Sequence, residues 1–452
     1  MKTSSDSLPG NRDVWRIALP MILSNITVPL LGMVDTGVTG HLDSEIYLAA
    51  VAIGATIFSV LYTGMNFLRM GTTGIAAQSY GAEDYTALRT SLGQATAVAL
   101  VIAAILIALH RPIGSFAVDL IGADPVINGI AREYFNIRVW SAPGTLINYA
   151  LIGWFLGTQN ARVPFMIFLT INVTNILLDL VFVLGLGMKV DGVALASVIA
   201  EYTGTAVGGT FVFGTLKRHP GHWLVSKLTR FTEYAAFFAV NANLFVRTMA
   251  LIFSLGFITA QGARMGGTIL AANALLMNLQ NLTSFALDGI AHAAEALVGR
   301  AIGAKRRDAL EAAVALTLRW SLWFALGLAV LYVMIGPILI RVLTDLTDIR
   351  DAASRYLPWL IASPLISVWS FLYDGVFVGA TRAREMRDIM IASTAVFLAT
   401  WFATTSWGND GLWLSFMVFL TARGLGMHIY YRRSLLPGVA VNSGTEKNSG
   451  TP

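Results

Sequence analysis

Two carboxylates stand inside apolar runs where an ionised side chain is expensive. Asp35 closes a stretch from Ile17 that holds no other ionisable residue, and Asp179 interrupts Ile176-Leu177-Leu178 and Leu180-Val181-Phe182. Neither has a basic residue at helical contact spacing. A charged carboxylate deep in a bilayer costs several kcal/mol, so each is a functional candidate from the outset. Asn175 lies one helical turn before Asp179 on the same face, and Ser197 follows on the next apolar run. Two carboxylates, an amide oxygen and a hydroxyl have two chemical uses. Repulsion between like charges in a low-dielectric site lets one carboxyl keep its proton near neutral pH and act as a proton carrier. Alternatively, the same oxygens hold a hard monovalent cation. The residues themselves leave H+ and Na+ open, and Na+ at Asp35, Asn175 and Asp179 is the one metal site they suggest. The structural alternative is that Asp35 only caps the end of its helix in interfacial water.

The second half of the chain has its own polar set. Asn241, Asn243 and Arg247 share one apolar run, Asp288 and Glu295 lie on the next, and Asp374 on a later one. Asp288 or Asp374 is the natural counter-ion for Arg247, as a structural ion pair or as part of a substrate pathway through Asn241, Arg247, Asp288 and Asp374. Glu295 reads as interfacial; Arg69, Glu201, Arg319 and Arg423 read as snorkelling or interhelical pairs near span ends. Pro20 and Pro29 each remove a backbone donor from the first run and favour a bend beside Asp35.

The elements that carry these residues come from one unit written twice. Gly81-Ala82-Glu83-Asp84-Tyr85-Thr86-Ala87-Leu88 is answered by Gly303-Ala304-Lys305-Arg306-Arg307-Asp308-Ala309-Leu310. The offset that carries Gly81 to Gly303 also carries Ile113-Gly114 to Ile335-Gly336 and Gly157–Arg162 to Gly379–Arg384. Under it Asp35 maps to Phe257, so the two copies have diverged. With 56% hydrophobic and 13% charged residues in 452, the chain cannot clothe a soluble protein of this size. Apolar runs predict twelve membrane helices, near 14–38, 46–76, 89–110, 130–157, 163–187, 191–216, 231–259, 268–299, 311–340, 353–379, 386–406 and 410–433. Six spans per copy is an even number, so the copies enter the membrane in the same sense, as parallel repeats.

With a cytoplasmic N-terminus, 19 of the 31 Lys and Arg fall in cytoplasmic segments, 7 in external loops and 5 within spans. That bias places both termini in the cytoplasm. The expected organisation is a cytoplasmic segment 1–13, a six-helix lobe 14–216, a cytoplasmic linker 217–230, a second six-helix lobe 231–433 and a disordered tail 434–452. The basic residues sit in short loops and form no nucleic-acid patch. Cysteine is absent. No His-Glu-x-x-His, Gly-x-Ser-x-Gly or Walker loop points to an enzyme, and no cofactor is implied beyond the coupling ion.

The residues just quoted, with Ala18-Leu19-Pro20-Met21 and Ser24–Thr36, Asn175–Asp179, Leu287-Asp288-Gly289, Ala294-Glu295-Ala296 and Asp374-Gly375, resemble the multidrug and toxic compound extrusion (MATE) family, most closely its DinF branch. The likeness spans all twelve predicted helices. It implies a V-shaped all-α pair of six-helix bundles in the bacterial inner membrane, expelling drugs by antiport against H+ or Na+. It also implies that Asp35, Asn175 and Asp179 are the cation or proton site, that Ser197 stands for a Thr common in relatives, and that Pro20 is the bend of the first helix. The transfer to Arg247, Asp288 and Asp374 is weaker.

The expectation is therefore a secondary active exporter of amphipathic, cationic compounds, acting as a monomer among membrane lipids. A flippase for lipid-linked precursors is the nearest rival. It calls for a strongly basic cavity, whereas the few intramembrane Arg residues here are matched by acids. A passive channel would leave the Asp pair without a purpose.

Overall fold

The computed structural model describes residues 8–40 and 44–439, the side chains of 28–36 and 39 excepted. Among the described residues there is no strand, and twelve long helices follow the chain. They are α1 (Asn11–Thr39), α2 (Glu45–Gly81), α3 (Tyr85–Ala108), α4 (125–157), α5 (Arg162–Gly185) and α6 (Val190–Arg218). The second half supplies α7 (Phe231–Arg264), α8 (Gly267–Gly303), α9 (Arg307–Leu343), α10 (Thr347–Gly379), α11 (Ala383–Trp407) and α12 (Asn409–Gly438). Eight of these, among the described residues, are long and apolar enough to cross a membrane. The last helix runs to Gly438, past Arg433 where the hydropathy pattern ends it; the rest of the expected tail lies outside the described residues.

The duplication is written in the backbone. Moved by the offset that carries Gly81 to Gly303, α2 and α4 land on the bounds of α8 and α10. After α2, α4, α8 and α10 the chain turns through the same device: Glu83, Gln159, Lys305 and Thr381 are left-handed, with φ of 56°, 60°, 54° and 54°. In each turn that residue's N–H reaches back three residues, and the next N–H reaches back five, as in Asp84 to Ser79 and Arg306 to Ala301 at 3.0 and 2.9 Å. Two backbone bonds per turn cover helix-end carbonyls and offset a conformation that costs a non-glycine residue about 1 kcal/mol.

The copies differ elsewhere. In the first, α3 stops at Ala108 and a separate helix, His110–Ile121, follows; in the second the matching stretch is the unbroken α9, which absorbs Pro337.

Packing divides the described chain into two compact units that cut across the expected linker boundary. One contains residues 19–76 and 85–249, the other 8–18, 77–84 and 250–439. Helix α1 therefore changes unit between Ala18 and Leu19, immediately before Pro20. In the first unit Val51, Phe58, Tyr134, Phe135, Val183 and Val193 form a buried cluster that also takes in Val38 at the end of α1. In the second unit the ends of α2 and α8 cross with no room for side chains. A Cβ on Gly81 would collide with the Arg300 carbonyl, and one on Gly303 with that of Gln78, a reciprocal contact that respects the repeat. Small residues at such crossings matter in lipid, where dispersion contacts and interhelical hydrogen bonds drive helix association.

Candidate functional site

Helix α5 presents Asn172, Asn175 and Asp179 on one face. Asp179 is 0% exposed and Asn175 2%. The Asn175 amide donates from Nδ2 to Ser197 Oγ on α6 at 3.3 Å, joining two of the predicted site residues. One turn earlier, Asn172 Nδ2 donates to Thr27 Oγ1 at 2.5 Å, which docks α1 on the same face. Asp179 closes the regular part of α5; Leu180–Gly185 winds as a wider π-helical turn. Such turns recur at functional sites because they re-aim side chains within a helix.

Asp35 falls in α1, but its side chain lies outside the described residues. Its neighbours along the helix are placed. Thr27 is bonded to Asn172 before the Asp35 position, and Val38 after it belongs to the apolar cluster that also holds Val183 of α5. At Pro20 the helix continues, and Ser24 Oγ donates to the Pro20 carbonyl at 2.8 Å.

Glu201 departs from its expected position near a span end. It sits well inside α6, one turn beyond Ser197 on the same face. Asn148 on α4 donates from Nδ2 to both the Glu201 carbonyl (2.9 Å) and its carboxylate Oε2 (2.8 Å). Thr205 Oγ1 donates to Asn148 Oδ1 at 3.0 Å, and the Glu201 carbonyl fixes the amide orientation, since a flip would set oxygen against oxygen there. Nearby, Arg138 bonds the Tyr134 hydroxyl and its guanidinium lies 5.3 Å from the Phe58 ring centre. Asn148 and Arg138 both lie on α4, a helix far earlier in the chain, so no local pattern could have joined them to Glu201.

The second-half candidates are divided between the compact units. On α7 of the first unit, Asn241 is 2% exposed and packs on Gly71, and Arg247 is 6% exposed. Asp288 on α8 is half-buried in the second unit. Asp374 is paired with Arg423 of α12, a buried counter-ion. Arg423 is thus an interior residue of α12, the interhelical pair of the two readings and not the snorkelling one. Glu295, expected at the interface, is 3% exposed and meets His292 Nδ1 at 3.2 Å. That dyad had a local signal, a histidine one turn earlier on the same helix.

Carrying the first-half set across by the repeat offset gives the mirror site. Asp35, Asn175, Asp179 and Ser197 become Phe257, Phe397, Trp401 and Phe419. These four form one aromatic cluster: Phe257 lies 5.6 Å from Phe397 and 6.5 Å from Trp401, and Phe397 lies 5.9 Å from Phe419, ring centre to ring centre. Among the described residues no group of three or more His, Cys, Asp and Glu side chains could hold a metal ion.

A twelve-helix, internally duplicated membrane protein with polar groups buried in its helix faces has the build of a transporter. The MatE family model matches residues 20–181 and 244–401. The chain is 43% identical to DNA damage-inducible protein F of Escherichia coli over 95% of its own length and 93% of that protein's. It is 22% identical to human multidrug and toxin extrusion protein 1, over 89% and 71% of the two lengths. Among solved structures, a MATE in the bent conformation superposes with a TM-score of 0.86 at 17% identity, covering 95% and 96% of the chains. The chain belongs to the MatE family, the multidrug and toxic compound extrusion transporters, in its DinF branch. It is a multi-pass membrane efflux transporter of small molecules and not an enzyme, and this family does not favour the flippase alternative.

Proposed function

We propose that the protein is a secondary active exporter in which Asp35 and Asp179, with Asn175 and Ser197, couple outward movement of amphipathic, cationic compounds to inward movement of H+ or Na+. The observation that carries this reading is the wholly buried Asp179, on a helix face to which Asn175, Ser197 and α1 are tied by hydrogen bonds. An acid so enclosed is stable only when protonated, ion-bound or otherwise compensated, and exchanging these states does work.

The grouping of Asp35 with Asp179 has two supports. From the Thr27–Asn172 bond, eight residues along α1 and seven along α5 both rise about 11 Å, to Asp35 and Asp179 respectively. In the second copy, the counterpart of Asp35 touches the counterparts of Asn175 and Asp179. Pro20 is the proposed hinge of α1, at the place where the helix passes from one compact unit to the other. Asn241, Arg247, Asp288 and Asp374 are proposed to shape substrate passage, Asp374 through its pairing with Arg423. The working form is a monomer in the inner membrane, with both termini cytoplasmic and no cofactor beyond the coupling ion.

The test is transport of a fluorescent cationic dye in proteoliposomes with separately imposed pH and Na+ gradients. One gradient should drive dye movement in the wild type and fail to do so in Asp179→Asn and Asp35→Asn. Gradient-driven transport at wild-type rate in both variants would end the coupling reading.

A further inference from the structure

The first unit buries a second acid that the coupling site does not use. Ser197 and Glu201 are one turn apart on α6, so their side chains stand about 6 Å from each other on one face. Ser197 is bonded to Asn175 of the Asp179 face. Glu201 is bonded to Asn148 on the opposite side, toward the Lys217 end of the helix. Asp179, Asn175, Ser197 and Glu201 therefore follow one another along the α5 and α6 faces joined by the Asn175–Ser197 bond, a polar line for bridging water to complete.

The groups around Glu201 suit a proton better than a metal ion. What reaches its carboxylate is the Asn148 amide N–H, with the Thr145 hydroxyl beside it as a second donor, and the cation whose field it feels is the Arg138 guanidinium. A hard cation such as Na+ needs oxygens, not donors. An amide N–H, in contrast, serves a carboxylate and the carbonyl oxygen of a neutral carboxylic acid equally well. The second Asn148 bond, to the Glu201 backbone, holds the site in place in either state. The other titratable or charged groups around this pocket are Tyr62 of α2, whose hydroxyl lies 2.8 Å from Ser141 Oγ, Tyr149 of α4, bonded to the Tyr62 carbonyl, and Arg69 of α2, whose charge is felt at Tyr149; α5 contributes only Asp179 as an acid.

The duplication supplies a control. The counterpart of Glu201 is Arg423, locked to Asp374 in a buried ion pair. The first copy places a titratable acid at that position and sets a neutral amide against it.

We infer that Glu201 is a second proton-binding station, which takes the proton released from the Asp179 site and hands it on toward the cytoplasmic end of α6. In this step the carboxyl O–H at Asp179 breaks, leaving a carboxylate. Water and the Ser197 hydroxyl between the two acids each accept one proton and give one up, Asn175 serving only to orient Ser197, and an O–H forms on Glu201, neutralising it. No oxidant, metal or other reactant is needed. The inference rests on the coupling role proposed for Asp179 and on H+ as the ion that uses this branch.

The test uses the full-length purified protein in detergent and in proteoliposomes. Glu201→Gln keeps the oxygen that Asn148 bonds but cannot carry a proton. It should bind dye normally, release fewer protons than wild type on dye addition in weakly buffered solution, and lose about a hundredfold in pH-driven dye transport. Glu201→Asp should restore part of that transport with a displaced pH midpoint. If Glu201→Gln matches wild type in proton release and transport while Asp179→Asn is inactive, Glu201 is structural and only this inference falls. If Asp179→Asn is itself fully active, the coupling reading falls first. Should Glu201→Gln not yield folded protein, the Glu201→Asp profile decides: a displaced midpoint upholds the station, and an unchanged one overturns it.

Discussion

The same four positions, read in the two halves of the molecule, hold opposite chemistry. In the first they are Asp35, Asn175, Asp179 and Ser197; in the second, Phe257, Phe397, Trp401 and Phe419. The second set comes together where α7, α11 and α12 meet, and the first is carried on the corresponding helices α1, α5 and α6. The second set fills that space with rings in edge-to-face contact, which packs tightly and asks nothing of solvent. The first keeps an acid there at the expense of packing and solvation. One copy is thereby equipped to change charge state, and the other to stay rigid. A buried charge also appears in the second copy, but Asp374 and Arg423 neutralise each other there.

The comparison breaks most readily at Asp179. Asp179→Asn removes the charge and keeps the shape, and gradient-driven efflux should fall by about a hundredfold or more. Phe397→Ala, in the mirror site, should leave ion coupling intact while lowering stability by roughly 3 kcal/mol, read as a lower Tm in detergent. Equal loss of coupling in the two variants would show that the halves are not specialised in this way.

Next in size is the ion pair. Arg423→Met takes a buried counter-ion away from the Asp374 carboxylate, 14% exposed. That should cost about 3–5 kcal/mol, whereas Asp374→Leu combined with Arg423→Met should be far milder, because no uncompensated charge remains. Thermal unfolding of the purified variants checks both. A double variant as unstable as the single one would mean that the pair does more than neutralise itself.

How much of this was legible beforehand follows from where the information lies. The helix bounds were readable because hydropathy and the duplication report the same register: the run expected at 268–299 is Gly267–Gly303, and its copy at 46–76 is Glu45–Gly81. Asn175, Asp179 and Ser197 stood out because polar atoms in apolar runs are conspicuous in one dimension. Partnerships were not legible. Asp374 and Arg423 are 49 residues apart, and Glu201 and Asn148 are 53 apart, on helices whose adjacency only packing establishes. Lacking a visible partner, Glu201 and Arg423 read as edge residues. The compact units were also hidden, since the transfer of residues 231–249 to the first unit depends on contacts such as Asn241 against Gly71, not on the composition of the linker.

The mildest test is Ser197, where the two halves differ by a hydroxyl against a ring. Its Oγ accepts the Asn175 amide at 3.3 Å, a long bond between neutral groups, so its net contribution is about 1 kcal/mol. Ser197→Ala should then weaken the apparent affinity for the coupling ion by roughly fivefold, with maximal transport little changed, because the acids remain and a water takes the hydroxyl's place on the way to Glu201. Ser197→Thr keeps the hydroxyl and should stay within about twofold of wild type, the added methyl being the only perturbation. The order of these two effects carries the information. If Thr proves more damaging than Ala, space around Asn175 matters more than the hydroxyl, and the polar site resembles its aromatic counterpart in being governed by packing. If Ala alone shifts the ion dependence, the hydroxyl belongs to the coupling chemistry that the second half has given up.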